Sequence, residues 1–177
     1  TKGQREFLTA AAQLATTHPT ARFAIVGQAL FNDQGYADEI HALAQSLGLA
    51  QQVDFLGWVD DPTRVVDGFT ALVHAPPTAE PFGQVIIEAM ARHVPVIATL
   101  GGGVGEILTG TAHSPIIAPG TAEQASLGQL VAPRDTFGLA TAMARVLDAP
   151  VAAEQVAVAA YASAAMFHCG RDRRRLR

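Results

Sequence analysis

The feature that most constrains the fold is an alternation between short apolar runs and longer segments with helical periodicity. The apolar runs predict buried strands at 23–27, 53–57, 71–75, 94–99 and 129–132. Helical spacing predicts helices at 3–17, 38–47, 62–69, 83–92, 103–108, 135–147 and 152–167. Strands that are apolar throughout are covered on both faces, so the pattern predicts an α/β domain: a doubly wound parallel sheet with helices on both faces. In such a sheet the ligand site lies beyond the carboxyl ends of the strands.

Two parts of the chain stand outside this alternation. Residues 111–127 have no clear period and are predicted to form a long surface loop, with room for one turn of helix. The first residues already have helical spacing, although a βα unit normally begins with its strand. We therefore expect a fragment whose domain lacks its first strand.

Composition excludes several classes of protein. Apolar residues make up 49% of the chain and charged residues 16%, as in a globular domain and unlike a disordered chain. The apolar runs are far shorter than the roughly 20 residues of a membrane-spanning helix. Cys169 is the only cysteine, which excludes a disulfide scaffold. These features predict a soluble, cytoplasmic domain.

The charge is unevenly distributed. The net charge is −4, yet residues 171–177 contain five arginines and one aspartate, so the rest of the chain is more acidic than the total suggests. An acidic body is a poor match for nucleic acid, and we expect no nucleic-acid partner. The basic tail is interpreted as a solvated end or a cut through a longer protein; contact with RNA or, peripherally, with an anionic membrane is the alternative.

Several catalytic motifs are absent from the sequence. It contains no phosphate-binding loop of the nucleotide triphosphatases, no nucleophile elbow and no pair of histidines at metal-binding spacing. Residues 101–106 are glycine-rich, but Glu106 replaces the third glycine of a dinucleotide fingerprint. His74 and His93 are expected to pack beside strands rather than to act as bases. We expect neither a metal nor another cofactor.

The segment from Glu80 to Ala91 is the most informative one for function. Pro81 disfavours helix at Glu80, so Glu80 is expected in a loop after a strand. Gly83 permits a close backbone approach at the start of the next helix, whose free N–H groups suit a diphosphate. Glu88 falls on that helix. The two carboxylates can accept hydrogen bonds from sugar hydroxyls, which together indicates a nucleotide-sugar site.

Spacing alone leaves other interpretations of this segment open. An ordinary helix with a solvated glutamate at each end fits the spacing about as well as a nucleotide-sugar site does. A glycosidase carboxylate pair fits poorly, because both residues belong to one short strand–loop–helix unit.

A longer string of motifs carries a family resemblance. Glu80-PFGQVII-Glu88 is an E-x7-E motif, and AMARHVPVIAT and GGGVGEI follow it. With the further matches, this string resembles the retaining GT-B glycosyltransferases of the glycogen-synthase-like family 4, over most of residues 2–148. The further matches are FAIVG, Leu47–Leu49, VDFLG, Asp60-Asp61, Gly128–Asp135 and Leu139–Ala142.

The resemblance implies the C-terminal, donor-binding half of such an enzyme, with a Rossmann-like domain at 1–150 and a C-terminal helix and basic tail at 151–177. Lys2 matches the lysine that contacts the donor diphosphate. Glu80 matches the acidic residue that holds hydroxyls of the transferred sugar. The resemblance thus implies that these two residues are catalytic.

Other donor contacts are implied in the same way. Phe82, Gly83, Gln84 and Val85 fall where the backbone contacts sugar and phosphate, and Glu88 would accept hydrogen bonds from the ribose. Val59 falls where the base meets the main chain. No metal is implied at this site.

The implied activity is transfer of a hexose, with retention, from a UDP-, GDP- or ADP-sugar to a glycan, lipid or small-molecule acceptor bound by an N-terminal half. A non-catalytic nucleotide-sugar-binding module and an epimerase of related shape are the alternatives. Four departures from the family pattern stand out. A family arginine would lie before Thr1, His93 replaces a glycine, and the linker from Gly110 to Gly128 is longer than usual. The final segment FHCGRDRRRLR lacks the acidic residues and the aromatic end expected of the helix that crosses back to the other half.

Overall fold

The computed structural model describes residues 2–28, 34–112 and 115–172. The helices are α1 Gln4–Ala15, α2 Gln34–Ser46, α3 Pro62–Val66, α4 Gln84–Met90, α5 Val104–Thr109, α6 Thr136–Asp148 and α7 Pro150–Asp172. The strands are β1 Phe23–Val26, β2 Val53–Gly57, β3 Leu72–His74, β4 Val96–Thr99, β5 Ala122–Ala125 and β6 Gly128–Val131. The predicted alternation of strands and helices is therefore confirmed.

The strands form two sheets within the described residues. β1 and β2 pair in parallel, and the second sheet has the order β3-β4-β6-β5. β3, β4 and β6 run parallel to one another, as predicted. β5 runs antiparallel to β6, with Ala122 opposite Val131 and Ala125 opposite Gly128. The prediction that 111–127 is a loop was wrong for this strand.

Alternate residues of the central strands point to opposite faces, and each face has its own core. Ile97 and Val131 belong to a core with α1, α2 and α6. Val96 and Leu130 belong to a second core with residues of α4, α5 and α7. Helices cover both faces, which confirms the predicted α/β class and explains why the strands read as continuous apolar runs.

The end of α4 accounts for one departure from the family pattern. His93 adopts a left-handed φ of 57°, a conformation that favours glycine. The His93 ring stacks on Tyr161 of α7, with ring centroids 4.1 Å apart. The backbone thus keeps the shape that a glycine would give, and the histidine adds a contact to the C-terminal helix.

α7 begins at Pro150, two residues before the predicted start of this helix, and extends to Asp172. Its buried alanines, Ala157, Ala160 and Ala164, face inward. Two of them, Ala160 and Ala164, pack in the second core. Residues 173–177, which hold four of the five tail arginines, lie outside the described residues.

A large cavity separates the two sheets. Within the described residues, β1 pairs with β2 and β3 pairs with β4, so β1 and β3 each keep one edge without a strand partner. Residues 22–26 and 71–75 line a cavity of about 1350 Å³, with α1 and the end of α6. The prediction of a domain at 1–150 that lacks its first strand stays a prediction.

Candidate functional site

The structure brings Lys2 and Glu80 into direct contact, although they are 78 residues apart in sequence. Lys2 lies just before α1, and Glu80 lies in the loop after β3, as predicted. The Lys2 ammonium donates a hydrogen bond to Oε1 of Glu80 and forms an ion pair with it. The two residues predicted to be catalytic are thus neighbours beyond the carboxyl end of β3.

Gly3 makes this approach possible. Its φ of 87° is left-handed, and a Cβ added there would lie 1.8 Å from the carbonyl oxygen of Ala75. Gly3 is also the N-cap of α1, and its carbonyl accepts a hydrogen bond from Phe7 N–H at 2.9 Å. Any side chain at position 3 would force the start of α1, and Lys2 with it, away from the end of β3.

The glycine-rich segment 101–103 packs closely against the loop that contains Glu80. A Cβ on Gly102, whose φ is 55°, would lie 2.1 Å from the carbonyl oxygen of Glu80. A Cβ on Gly101 would lie 3.0 Å from the Cβ of Ala79. Thr99 Oγ1, at the end of β4, donates a buried hydrogen bond of 3.1 Å to the carbonyl of Pro76. This supporting role was missed from the sequence, where the glycines were compared with a dinucleotide motif and counted in the family resemblance but given no structural role.

Glu80 is held from two sides. While Lys2 contacts Oε1, His74 Nε2 lies 3.3 Å from Oε2. The hydrogen bond from Lys2 is the main cause that lowers the pKa of Glu80 below its ordinary value. Burial opposes this effect, and His74 adds to it. Glu80 is therefore an ionised acceptor at neutral pH, and its side chain is 23% exposed.

The predicted contacts from Phe82 to Val85 follow directly after this carboxylate. Gly83 is the N-cap of α4, with a left-handed φ of 50°, and Phe82 is 75% exposed. These residues line the same cavity as Lys2 and Glu80. The first N–H groups of a helix have no intrahelical acceptor, so those of Gln84 and Val85 are available to an anion. α4 has only seven residues, so these N–H groups and not a long helix dipole are the relevant donors.

Glu88 and Val59 lie apart from this cluster. Glu88 is an exposed residue of α4, one turn after its start, and Val59 is half-buried after the end of β2. Neither lines the cavity that contains Lys2 and Glu80. The structure therefore brings together Lys2, Glu80 and the Phe82–Val85 segment around one cavity, and leaves Glu88 and Val59 outside its lining.

His74 is the site residue that sequence reasoning missed. It is the last residue of β3, it is buried, and it contacts Glu80 instead of merely packing beside the strand. The signal in the sequence was its position, since the last residue of a parallel strand faces the ligand edge of the sheet.

The described residues contain neither a metal-binding cluster nor a membrane-spanning helix. No three His, Cys, Asp or Glu side chains there are grouped so that they could hold a metal ion. No helix there has the length and apolar character needed to cross a membrane.

The fold is that of a Rossmann-like α/β domain, and its candidate ligand site lies at the carboxyl edge of the sheet, where a lysine and a glutamate meet. Residues 1–161 match the family model described as "Glycosyl transferases group 1". The match covers most of the chain, and the chain belongs to this family.

Relatives and solved structures agree with the assignment. The chain is 36% identical over 149 residues to D-inositol 3-phosphate glycosyltransferase 2 of Catenulispora acidiphila, covering 81% of this chain and 31% of the relative. It is 30% identical to Anabaena HepE, solved in complex with UDP-glucose, with a TM-score of 0.79 over 93% of this chain and 41% of HepE. The C-terminal domain of LpcC, a group 1 glycosyl transferase of Francisella tularensis, is 25% identical, with a TM-score of 0.75 over 94% of this chain and 79% of that domain. The chain therefore spans about a third of the curated relative.

Proposed function

We propose that this chain is the donor-binding domain of a retaining glycosyltransferase that transfers a hexose from a nucleoside-diphosphate sugar. Membership of the family supports a transferase. The likeness to HepE, solved with UDP and with UDP-glucose, favours a UDP-sugar among the three donors considered. The likeness to the C-terminal domain of LpcC supports its placement as the donor half. The acceptor, whether glycan, lipid or small molecule, would bind an N-terminal half.

The observation that carries the proposal is the meeting of Lys2 and Glu80 beside the start of α4. A cation and main-chain N–H groups suit a diphosphate, and an ionised carboxylate a few residues away suits sugar hydroxyls. In this arrangement Lys2 and the N–H groups of Gln84 and Val85 bind the diphosphate. Glu80 accepts hydrogen bonds from the transferred sugar.

The remaining predicted contacts extend the same donor site. Glu88 accepts hydrogen bonds from the ribose, the main chain at Val59 meets the base, and the backbone at Phe82 and Gly83 contacts the sugar and phosphate.

The reaction breaks the bond between the sugar's anomeric carbon and a phosphate oxygen, and forms a bond from that carbon to the acceptor's hydroxyl oxygen on the same face. The hydroxyl proton passes to the departing diphosphate. Negative charge develops on the leaving diphosphate as the bond breaks. Lys2 and the N–H groups at the start of α4 stabilise that charge, which is electrostatic catalysis without a required metal. A cytoplasmic location with peripheral membrane contact remains a further prediction.

Calorimetry with UDP, GDP, ADP and their glucose conjugates, in EDTA and in Mg²⁺, tests the proposal. We expect weak binding of a nucleoside diphosphate in EDTA, because on this proposal the domain supplies only the donor side of the cleft. Lys2→Met should weaken it at least tenfold, since a charged hydrogen bond contributes about 1.5–3 kcal/mol. Arg64→Met, which removes an exposed charge on α3, is the matched control. Binding that depends wholly on Mg²⁺, or that is unaffected by Lys2→Met, would contradict the proposal.

The sequence permits a sharper version of this experiment. Lys2 is the only lysine in the chain. Reductive methylation with ¹³C-formaldehyde therefore gives one lysine signal beside that of the terminal amine, and a Lys2→Arg variant assigns it. We expect the lysine signal to shift when UDP is added. A signal that stays unchanged at saturating UDP would show that Lys2 does not contact the diphosphate.

A further inference from the structure

His74 occupies a position that the predicted donor contacts do not explain. Its side chain is 7% exposed, and it ends β3. β3 is fixed by parallel pairing with β4, where His74 lies opposite Ala98. The imidazole is therefore attached to a rigid strand, whereas its partner Glu80 lies in a loop.

The contact to Glu80 fixes the form of the ring. Since Glu80 is an ionised acceptor, the 3.3 Å contact requires a proton on His74 Nε2. Nδ1 is buried and has no hydrogen-bond partner among the described residues. A buried N–H without an acceptor is costly, whereas an unpartnered lone pair costs less. The neutral ring with its proton on Nε2 satisfies both constraints.

This arrangement divides the two oxygens of Glu80 between two partners. His74 binds Oε2 from inside the fold, and Lys2 binds Oε1 from the exposed side. The Lys2 side chain is 73% exposed, so a ligand can reach it and replace Glu80 as its partner, whereas the ring of His74 is only 7% exposed. The imidazole thus determines which oxygen stays inside and which faces the ligand.

We propose that His74 is the positioning residue for Glu80, and that it thereby determines preference for an intact nucleotide sugar over the bare nucleoside diphosphate. The inference rests on the proposed function, in which Glu80 contacts the sugar. Without the Nε2–H, the Glu80 carboxylate turns among several rotamers, and its hydrogen bonds to the sugar hydroxyls are made only part of the time. The diphosphate contacts do not involve His74, so binding of UDP alone is unaffected.

The test compares the ratio of UDP to UDP-glucose dissociation constants in three proteins. His74→Leu keeps bulk and burial but removes the donor, whereas His74→Gln keeps an N–H near the position of Nε2. We expect His74→Leu to lower the preference for UDP-glucose by about tenfold, the scale of one hydrogen bond to a charged group. His74→Gln should restore it to within about twofold of the wild type, and UDP affinity should be unchanged in both.

Further measurements separate positioning from packing. Adding His74→Leu to Glu80→Ala should cause no further loss of preference, because both act through the same carboxylate. Nitrogen-detected NMR of the ring, assigned by the signal that disappears in His74→Gln, should show the Nε2–H form at neutral pH.

Three outcomes would overturn the inference. They are an unchanged preference in folded His74→Leu, an equal loss of UDP and UDP-glucose affinity, and an Nδ1–H ring. If the wild-type chain binds no nucleotide at all, the proposed function itself is wrong. If the wild-type chain binds UDP and UDP-glucose with equal affinity, and Glu80→Ala changes neither affinity, Glu80 does not contact the sugar. The inference about His74 then fails as well.

Discussion

Substituting Gly3 by alanine should displace Lys2 from Glu80, and the structure gives the size of the effect. A Cβ at this position would lie 1.8 Å from the carbonyl oxygen of Ala75, so one backbone has to move by roughly 1 Å or more. The left-handed φ of 87° adds a cost of about 1–2 kcal/mol for any residue with a Cβ. Overpacking of this kind typically costs a further 1–3 kcal/mol or so.

Gly48→Ala is the matched control for this substitution. Gly48 has a left-handed φ of 75°, but a Cβ there would meet nothing within 4 Å. It therefore carries the conformational cost without the clash. The difference between the two variants isolates the close approach of α1 to the end of β3.

The assay is thermal unfolding combined with UDP titration. We expect Gly48→Ala to lower the melting temperature by about 2–8 °C, and Gly3→Ala to lower it by roughly 2–12 °C more, since 1 kcal/mol corresponds to about 2–4 °C in a domain of this size. Gly3→Ala should also weaken UDP binding about tenfold, as loss of Lys2 does, while Gly48→Ala leaves it unchanged. Equal melting temperatures and equal UDP affinities in the two variants would refute the argument.

Three further predictions follow from the site and the C-terminus. Glu88→Ala should weaken UDP binding by about 1–3 kcal/mol. Glu80→Ala should leave UDP binding nearly unchanged and reduce the preference for UDP-glucose. Calorimetry that shows the reverse pattern would contradict these roles. Because the pKa of Glu80 is lowered from 4.5, the wild type should exceed Glu80→Gln in stability above about pH 4.5, and denaturant titrations should show that advantage lost as the pH falls through the lowered value. Deleting residues 171–177 should leave the melting temperature and UDP affinity unchanged; if the tail has a role, vesicles with anionic lipid should bind the full chain more strongly.

The arrangement of strands and helices was predictable because two periodicities alternate cleanly along most of the chain. β5 was not predictable in this way. In Ala122–Ala125 the two end residues are buried and the two middle residues exposed, so the segment shows neither strict alternation nor a continuous apolar run. It forms a strand because β6 offers an edge, which is a tertiary effect that a local pattern does not record.

The site was predictable only in part, and for a physical reason. The loop, Gly83 and the start of α4 are local features, so the residues from Glu80 to Val85 carry their own signal. The contact between Lys2 and Glu80 joins residues 78 apart, and only the family resemblance placed Lys2 at the site. The same limit applies to Gly102, whose close approach to the Glu80 carbonyl depends on where two separate loops fold.

The ion pair between Lys2 and Glu80 has a consequence for how a donor would bind. Both side chains are predicted to contact the ligand, so the pair must open or be shared when a nucleotide sugar enters. With Lys2 73% exposed, the pair contributes at most about 1 kcal/mol, and a diphosphate with two or more negative charges competes with it easily. A bare nucleoside diphosphate then draws Lys2 away and leaves Oε1 of Glu80 without that partner. The hydroxyls of an attached sugar donate hydrogen bonds to the same oxygen. An intact nucleotide sugar therefore replaces the hydrogen bond that Oε1 loses when the diphosphate binds Lys2. Because both ligands open the pair, its loss does not distinguish them, and on the proposed roles the preference for the sugar nucleotide arises from the sugar hydroxyls that the freed Glu80 oxygen accepts.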